Sequence, residues 1–176
     1  MPECLQKQHF TNAEEHFGFR DQLQDSLSIL YFEPEITKNQ ILRASRHQFI
    51  EGDVEHWWHE ETSRGIRTRF SDDLLWLAYV CANYINFTGD SSILEIETNY
   101  RKGKLLEKFQ DERYDYYPES DEKESIYLHC IRAIEKSLNF GKNGLPKIGS
   151  GDWNDGFSTV GNKGIGESVW LRFFSL

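Results

Sequence analysis

The sequence predicts an all-α fold in which helices are joined by long polar and aromatic loops. Apolar residues recur at spacings of three and four in several segments, whereas the alternation that is typical of strands is weak and short. With 176 residues, of which 38% are hydrophobic, the chain is long enough to bury a sizeable core. We therefore expect an all-α toroid, with functional residues collected on loops at one end.

The predicted helices are separated by recognisable start and stop signals. Pro34 ends the first helix, Ser71 precedes the third and Gly89 ends it, while Ser120 opens the fourth and Gly141 stops it. Residues 49–59 and 142–152 are interpreted as loops, the first aromatic and the second rich in glycine. The helices expected in chain order are 19–31, 37–49 (with Thr37 as N-cap), 72–87, 121–140 and one that begins near Glu167.

Composition and charge exclude several classes of protein. The net charge of −9 and the scattered basic residues argue against a nucleic-acid surface. The N-terminus has no apolar stretch of signal-peptide length, and no window approaches 18 apolar residues, so we expect a cytoplasmic protein without a membrane span. Cys4, Cys81 and Cys130 are far apart and odd in number, which favours reduced thiols.

The first polar segment is FGFRDQLQDS, residues 17–26. Arg20 and Asp21 are adjacent at the start of a helix, and Asp25 follows one turn later. Acidic residues near the positive end of a helix need no further explanation. The functional alternative is that Asp21 accepts hydrogen bonds from ligand hydroxyls while Arg20 orients it.

The second polar segment covers residues 51–77. His56 and His59 flank a Trp-Trp pair, but their spacing lacks a third ligand in register, so we expect no metal site. The stretch RTRFSDD then places two arginines beside Asp72 and Asp73. It is either an ion-paired helix N-terminus or the polar wall of a cleft.

The third polar segment is IGSGDWNDGF, residues 148–157. Its glycines allow positive φ angles or a close approach of the backbone, which a turn alone would explain. Asp152 and Asp155, however, enclose Trp153 and Asn154. A carboxyl group packed against an indole loses hydration, which favours its protonated form and suits a general acid.

Common motifs for nucleotide binding, serine hydrolysis and zinc proteolysis are absent from the sequence. Histidine beside a serine or cysteine nucleophile is absent as well. Carboxylates combined with aromatic side chains remain, and this combination points to glycosyl transfer.

Five motifs in order resemble glycoside hydrolase family 94, which contains cellobiose, cellodextrin and chitobiose phosphorylases and the phosphorylase-like part of cyclic β-1,2-glucan synthases. They extend from Phe17 to Leu171 and read FGFRDQLQDS, GDVEHWWHE with GIRTRFSDDLLWLAYV, ESIYLHCIRAIEKSL, GLPKIGSGDWNDG and GESVWL. The resemblance implies part of an (α/α)6 barrel of six helical hairpins, incomplete in this chain, and an inverting phosphorolysis with inorganic phosphate as co-substrate and no cofactor or metal.

The resemblance also assigns expected roles to residues of this chain. Asp155 falls on the family's general acid, Trp153 lines the donor-sugar site, and Asp21 contacts the hydroxyls of the donor sugar. Three further residues match motif positions for substrate binding: Arg20, Asp72 and Asp73. Because phosphate is already an anionic nucleophile, a single acid suffices and no catalytic base is required.

The sequence departs from the family pattern near its N-terminus. Glu14, Glu15 and His16 stand where small residues are usual, and no arginine for phosphate aligns upstream of Arg20. We expect residues 1–16 to be an atypical segment and residues 17–176 a partial barrel, without the family's later helices. The expected partners are an oligosaccharide and phosphate, and a homodimer in the complete enzyme. Two alternatives stay open: a carbohydrate-binding segment without catalysis, and an inverting hydrolase with a second carboxylate.

Overall fold

The structure, a computed structural model, describes residues 16–174, so that Cys4 and nearly all of the predicted segment 1–16 lie outside the described residues. The helices are α1 (Phe19–Ile29), α2 (Pro34–Ser45), α3 (Asp73–Thr88), α4 (Ile126–Ser137), α5 (Ser158–Gly161) and α6 (Val169–Phe174). The strands are β1 (Phe17–Gly18), β2 (Glu55–His59), β3 (Arg64–Thr68), β4 (Glu97–Arg101), β5 (Glu112–Tyr116) and β6 (Glu119–Ser125). Short 3₁₀ turns occupy Ser91–Glu95 and Asp155–Phe157.

The predicted all-α fold, part of an (α/α)6 barrel, is wrong. The described residues form a mixed α/β structure with two antiparallel sheets, one of four strands in the order β1-β2-β3-β5 and one in which β4 pairs with β6. Several of these strands have two to five residues, too few for a clear alternation of apolar and polar positions. Pairing with neighbouring strands, which local sequence does not reveal, determines their conformation.

The start of the fourth helix illustrates this error. Residues 119–125, with the sequence ESDEKES, were expected to open a helix after Ser120 but form β6 on the surface. The helix begins instead after Ser125, whose Oγ accepts a hydrogen bond from the backbone N–H of Leu128 at 3.4 Å. Ser120 and Ser125 are both suitable N-caps by residue type, and only the β4–β6 pairing selects the second.

Other predicted helix limits agree better with the structure. α1 and α3 lie where the apolar periodicity places them, and Gly89 ends α3 in the left-handed conformation with φ of 74°. α2 begins at Pro34 rather than at Thr37. The hydroxyl of Thr37 donates to the carbonyl of Ser26 at 2.8 Å and so joins α2 to α1.

The core lies where α1, α2, α3 and α4 pack together, with the four-stranded sheet against α1 and the two-stranded sheet against α2 and α4. Trp58 from β2 is fully buried there, and Cys81 and Cys130 are buried free thiols contributed by α3 and α4. The helices that the structure describes between residues 16 and 174 include none with the length and apolar content needed to cross a bilayer. The main core residues are Phe19, Leu23, Leu30, Ile41, Ala44, Val54, Trp58, Trp76, Leu77, Val80, Cys81, Tyr84, Ile93, Ile126 and Cys130.

Candidate functional site

Arg20 connects the three polar segments singled out in the sequence. Its Nη1 donates to Asp72 Oδ2 and to the backbone carbonyl of Asp152, both at 3.1 Å, and its Nη2 donates to Asp155 Oδ1 at 3.0 Å. Only 9% of Arg20 is exposed. A planar guanidinium with several donors in a fixed arrangement can bind three such acceptors at once, which a lysine cannot do. Residues separated by up to 135 positions therefore meet at one buried cation.

The loop at 148–157 packs against the residues that precede α3. The backbone N–H of Ser71 donates to the carbonyl of Gly151 at 3.0 Å, and the Ser71 hydroxyl donates to the carbonyls of Ile148 and Gly151. Phe70 forms β-bridges with Gly149 and Gly151. A Cβ on Gly149 would overlap the carbonyl oxygen of Arg69, and one on Gly151 would overlap the Phe70 ring. The two glycines therefore permit close contact between this loop and residues 69–71.

The side chain of Asp152 stabilises the same loop through hydrogen bonds. It is buried, and it accepts hydrogen bonds from the Ser168 hydroxyl at 2.7 Å and from the backbone N–H of Asn154 at 3.2 Å. Ser168 Oγ in turn accepts from the N–H of Leu171 at the start of α6. Asp152 thus fixes the backbone on which Trp153 and Asp155 are carried.

Asp72 and Asp73 lie at the start of α3 and are both buried. Burial and the neighbouring Asp73 charge raise the pKa of Asp72 to about 6, although Arg20 favours the carboxylate. Asp72 Oδ2 also accepts from the Trp76 indole N–H at 3.2 Å. One oxygen of each carboxylate, Asp72 Oδ1 and Asp73 Oδ1, has no hydrogen-bond partner among the described residues. Both oxygens are buried, so the two carboxyl groups act on the site through Arg20 and His56.

His56 is a member of the site that the sequence did not identify as such. Its Nδ1 lies 2.8 Å from Asp73 Oδ2, and its ring stacks on Phe70 with a centroid distance of 4.4 Å. Burial opposes protonation of the ring, but the Asp73 carboxylate outweighs it and raises the pKa of His56. The sequence analysis considered His56 only as a metal ligand and rejected that role; residues 16–174 contain no group of three or more metal-ligating side chains. The contact between His56 and Asp73 joins residues 17 positions apart, so the local periodicity of the sequence could not reveal it.

The arginines of RTRFSDD do not pair with Asp72 and Asp73. Arg67 is fully buried and binds Asp53 through Nε and Nη2, each at 2.6 Å. Arg69 donates to backbone carbonyls of residues 106, 107 and 110. Of the two alternatives, the local ion-paired helix start is therefore not found: Asp72 and Asp73 contact Arg20 and His56, which come from other segments.

The exposed members of the site surround Arg20. The Asp155 side chain is 55% exposed and paired with Arg20, whereas the desolvated carboxyl group of the site is Asp72. The Asp21 side chain is 72% exposed, with Oδ1 3.7 Å from Arg20 Nε. Trp153 is half exposed, and its ring centroid lies 6.4 Å from that of Trp170. Chemically, the site offers one exposed carboxyl beside a cation, a second exposed carboxyl and an accessible indole.

Comparison with known proteins identifies the family. The catalytic domain of the glycosyl hydrolase 94 superfamily matches residues 9–176, nearly the whole chain. The chain belongs to the glycosyl hydrolase 94 superfamily. The resemblance noted in the five ordered motifs is therefore confirmed.

Relatives within the glycosyl hydrolase 94 superfamily include a synthase and several phosphorylases. Over 94% of its length the chain is 46% identical to the cyclic beta-(1,2)-glucan synthase NdvB of Rhizobium meliloti. It is 29% identical to the solabiose phosphorylase of Paenibacillus borealis over 87% of its length, and 26% identical to the N,N'-diacetylchitobiose phosphorylase of Vibrio proteolyticus over 89%. The matched part is 6%, 17% and 20% of these relatives, respectively, so the chain spans a minor part of each.

Proposed function

We propose that this chain forms part of the active site of an inverting glycoside phosphorylase that acts on β-glucosides. The observation that carries the proposal is the position of Arg20, which joins Asp155, Asp72 and the Asp152 backbone in one arrangement. It places an exposed carboxyl beside Asp21 and Trp153, the side chains that are suited to contact a sugar. Membership of a superfamily with several phosphorylases supports the same reaction.

Asp155 is the proposed general acid. In this reaction an oxygen of inorganic phosphate attacks the anomeric carbon from the face opposite the leaving group. The bond between the anomeric carbon and the glycosidic oxygen breaks, and the proton of Asp155, carried on Oδ2 while Oδ1 accepts from Arg20, passes to that oxygen. The products are an α-sugar 1-phosphate and a shortened sugar, and Asp155 regains its proton from solvent. One displacement inverts the configuration, as in inverting hydrolases, with phosphate in place of water.

The remaining residues bind and orient the sugar. Asp21 accepts hydrogen bonds from sugar hydroxyls, and Trp153 supplies a flat apolar wall for the C–H face of the ring. The buried Asp72 and Asp73 support the site through their partners: Asp72 accepts from Arg20 and Asp73 contacts His56, while Arg20 keeps Asp155 in position. All six residues that the sequence nominated therefore have a place in the proposed site.

Phosphate requires positive charge, and the cations of this site are already neutralised. Arg20 is paired with Asp72 and Asp155, and His56 is paired with Asp73. Another anion at these groups would compete with carboxylates that hold the loop in place. We therefore propose that phosphate is bound mainly by groups outside residues 16–174.

The favoured substrate is a β-(1→2)-linked glucan. The chain is 46% identical to a cyclic beta-(1,2)-glucan synthase but 26–29% identical to phosphorylases that are named for other substrates. This difference favours a glucan with the 1,2-linkage.

The proposal is tested with the full polypeptide in which this chain occurs. We expect incubation with β-1,2-gluco-oligosaccharides and inorganic phosphate to yield α-glucose 1-phosphate, detected by ³¹P NMR, and no reaction without phosphate. Phosphate-independent release of free glucose would instead identify the inverting hydrolase. Binding of the oligosaccharide without any turnover would identify a non-catalytic binding segment, and either outcome would overturn the proposal.

A further inference from the structure

The outer face of the four-stranded sheet carries a row of side chains that the catalytic roles above do not use. Residues that lie opposite each other in an antiparallel sheet project from the same face. Gly18 of β1 pairs with Trp57 of β2, Trp57 with Ile66 of β3, and Ile66 with Tyr114 of β5. The other face presents buried Trp58 and Arg67 to the core. Trp57, Ile66 and Tyr114, which we call the aromatic strip, therefore lie on the side away from the core.

The aromatic strip is a surface of neighbouring rings, and the His59 imidazole packs edge-on against both Trp57 and Tyr114. The ring centroids of Trp57 and Tyr114 are 5.6 Å apart across Ile66, which is only 8% exposed. Tyr114 is 46% exposed and Trp57 is partly exposed. The guanidinium carbon of Arg64 lies 6.0 Å from the Tyr114 ring centroid and adds a hydrogen-bond donor at the margin. Flat aromatic surfaces bordered by polar groups suit sugar rings, whose C–H faces are apolar and whose edges carry hydroxyls.

Two features show that the aromatic strip lies beside the candidate active site. A Cβ added to Gly18 would overlap Asp21 Oδ2, so the Asp21 carboxylate lies over the end of the row, next to Trp57. The residue before Trp57 is His56, whose ring is bonded to Asp73. Three strand spacings separate Gly18 from Tyr114, a distance of about 14 Å. A bound chain can therefore extend from Asp21 across several sugar units.

We propose that the aromatic strip binds the part of a glucan chain that extends beyond the sugars held at Asp155 and Asp21. Trp57 and Tyr114 stack on successive glucose rings, and Asp21 marks the end nearest the site of reaction. This inference rests on the proposed function, because it takes its ligand, a β-linked gluco-oligosaccharide, from the substrate of that site.

The test measures binding rather than turnover, so that it can fail independently of the proposed function. β-1,2-gluco-oligosaccharides of increasing length are titrated into the full polypeptide without phosphate, with isothermal titration calorimetry as the readout. We expect affinity to rise with length, and Trp57→Ala or Tyr114→Ala to weaken binding of the longer oligosaccharides about tenfold. The affinity for sophorose, the β-1,2-linked disaccharide, should change little in either variant.

Two controls keep the result interpretable. Tyr127→Ala removes a ring of similar exposure from α4, away from the sheet, and should leave the affinity unchanged. Trp57→Phe keeps an aromatic face and should restore most of the affinity that Trp57→Ala loses. Tyr114→Ala, at an exposed position, provides the test even if Trp57→Ala fails to fold.

The possible results distinguish failure of the inference from failure of the proposed function or of the proposed linkage. Affinity that is independent of oligosaccharide length, or equal losses from Tyr114→Ala and Tyr127→Ala, would show that the strip holds no glucan. Loss of phosphate-dependent turnover with retained length-dependent binding would refute the proposed function while leaving the strip in place. Stronger binding of cello-oligosaccharides than of 1,2-linked chains would retain the strip and refute the linkage.

Discussion

Arg20 determines the geometry of the candidate site at the scale of single residues. It is buried in α1 and contacts two carboxylates and one backbone carbonyl from two other segments. The sequence identified Arg20, Asp72 and Asp155 separately, because each lies in a polar segment with unusual composition. Only the family resemblance implied that they share one site, since the pairs are 52 and 135 residues apart and no local pattern records such contacts.

Replacing Arg20 with lysine should disrupt the site while preserving the charge. A single ammonium group cannot keep all three contacts, so we expect kcat/KM for phosphorolysis to fall about hundredfold. The matched control is Arg43→Lys, which changes an arginine paired with Glu60 at the surface and should change kcat/KM less than about threefold. Equal rates for the two variants would contradict the role of Arg20.

Asp72 should make the stability of the protein depend on pH. Its folded pKa of about 6 exceeds the ordinary value of 3.8, so the native state binds the proton more tightly than the unfolded chain. The free energy of unfolding therefore decreases as pH rises from about 4 to 6, by about 3 kcal/mol from this residue.

The variant Asp72→Asn should lose that dependence. In urea unfolding, we expect the free energy of unfolding of Asp72→Asn, relative to that of the unsubstituted protein, to increase between pH 4 and pH 7. Asp25→Asn, at an exposed position of α1, should leave the pH dependence of the unfolding free energy unchanged. Parallel profiles for the native protein and Asp72→Asn would show that Asp72 titrates normally.

At the scale of elements, amphipathic helices were predictable and short strands were not. α1 and α3 carry apolar side chains at helical spacing, and buried residues such as Leu23 and Val80 lie on their inner sides. β6 consists of charged and polar residues that are mostly exposed, so neither alternation nor hydrophobicity reveals it. The loop at 148–157 was recognised as unusual, but the close contact of its Gly149 and Gly151 with Arg69 and Phe70 was not foreseen.

The docking of this loop can be tested at its glycines. Gly149 and Gly144 both have positive φ, 67° and 76°, but only at Gly149 would a Cβ overlap backbone. Gly144→Ala should cost about 1–2 kcal/mol of unfolding free energy, the usual cost of the left-handed conformation. Gly149→Ala should cost at least about 2 kcal/mol more, because Arg69 and the loop must separate. Equal costs in chemical unfolding would mean that the loop moves away freely.

At the scale of the whole molecule, an apolar groove of about 260 Å³ opens between α3, α4 and α6. Exposed apolar patches of this kind favour association. Ile134 and Leu138 of α4 border the groove and are exposed to solvent. Its apolar lining consists of Leu75, Ala78, Tyr79, Ile134, Leu138, Phe140, Pro146, Leu171 and Phe174.

We expect the 176-residue chain by itself to bind a hydrophobic dye and to associate as its concentration rises. Leu138→Glu should reduce both effects, because it places a charge in the groove. Leu105→Glu changes a leucine of similar exposure outside the groove and should have little effect. Sedimentation velocity that shows identical association for both variants would exclude the groove as its cause.

The central claim, that Asp155 protonates the leaving sugar, is tested most directly by varying the leaving group. Asp155→Asn and the native polypeptide are compared with an unactivated β-1,2-glucoside and with β-glucosyl fluoride, whose fluoride departs with little need for an acid. We expect Asp155→Asn to lower phosphorolysis of the glucoside by about 10²–10⁴-fold, but that of the fluoride by less than about tenfold. Equal losses on both substrates, or unchanged turnover of the glucoside, would contradict the assignment.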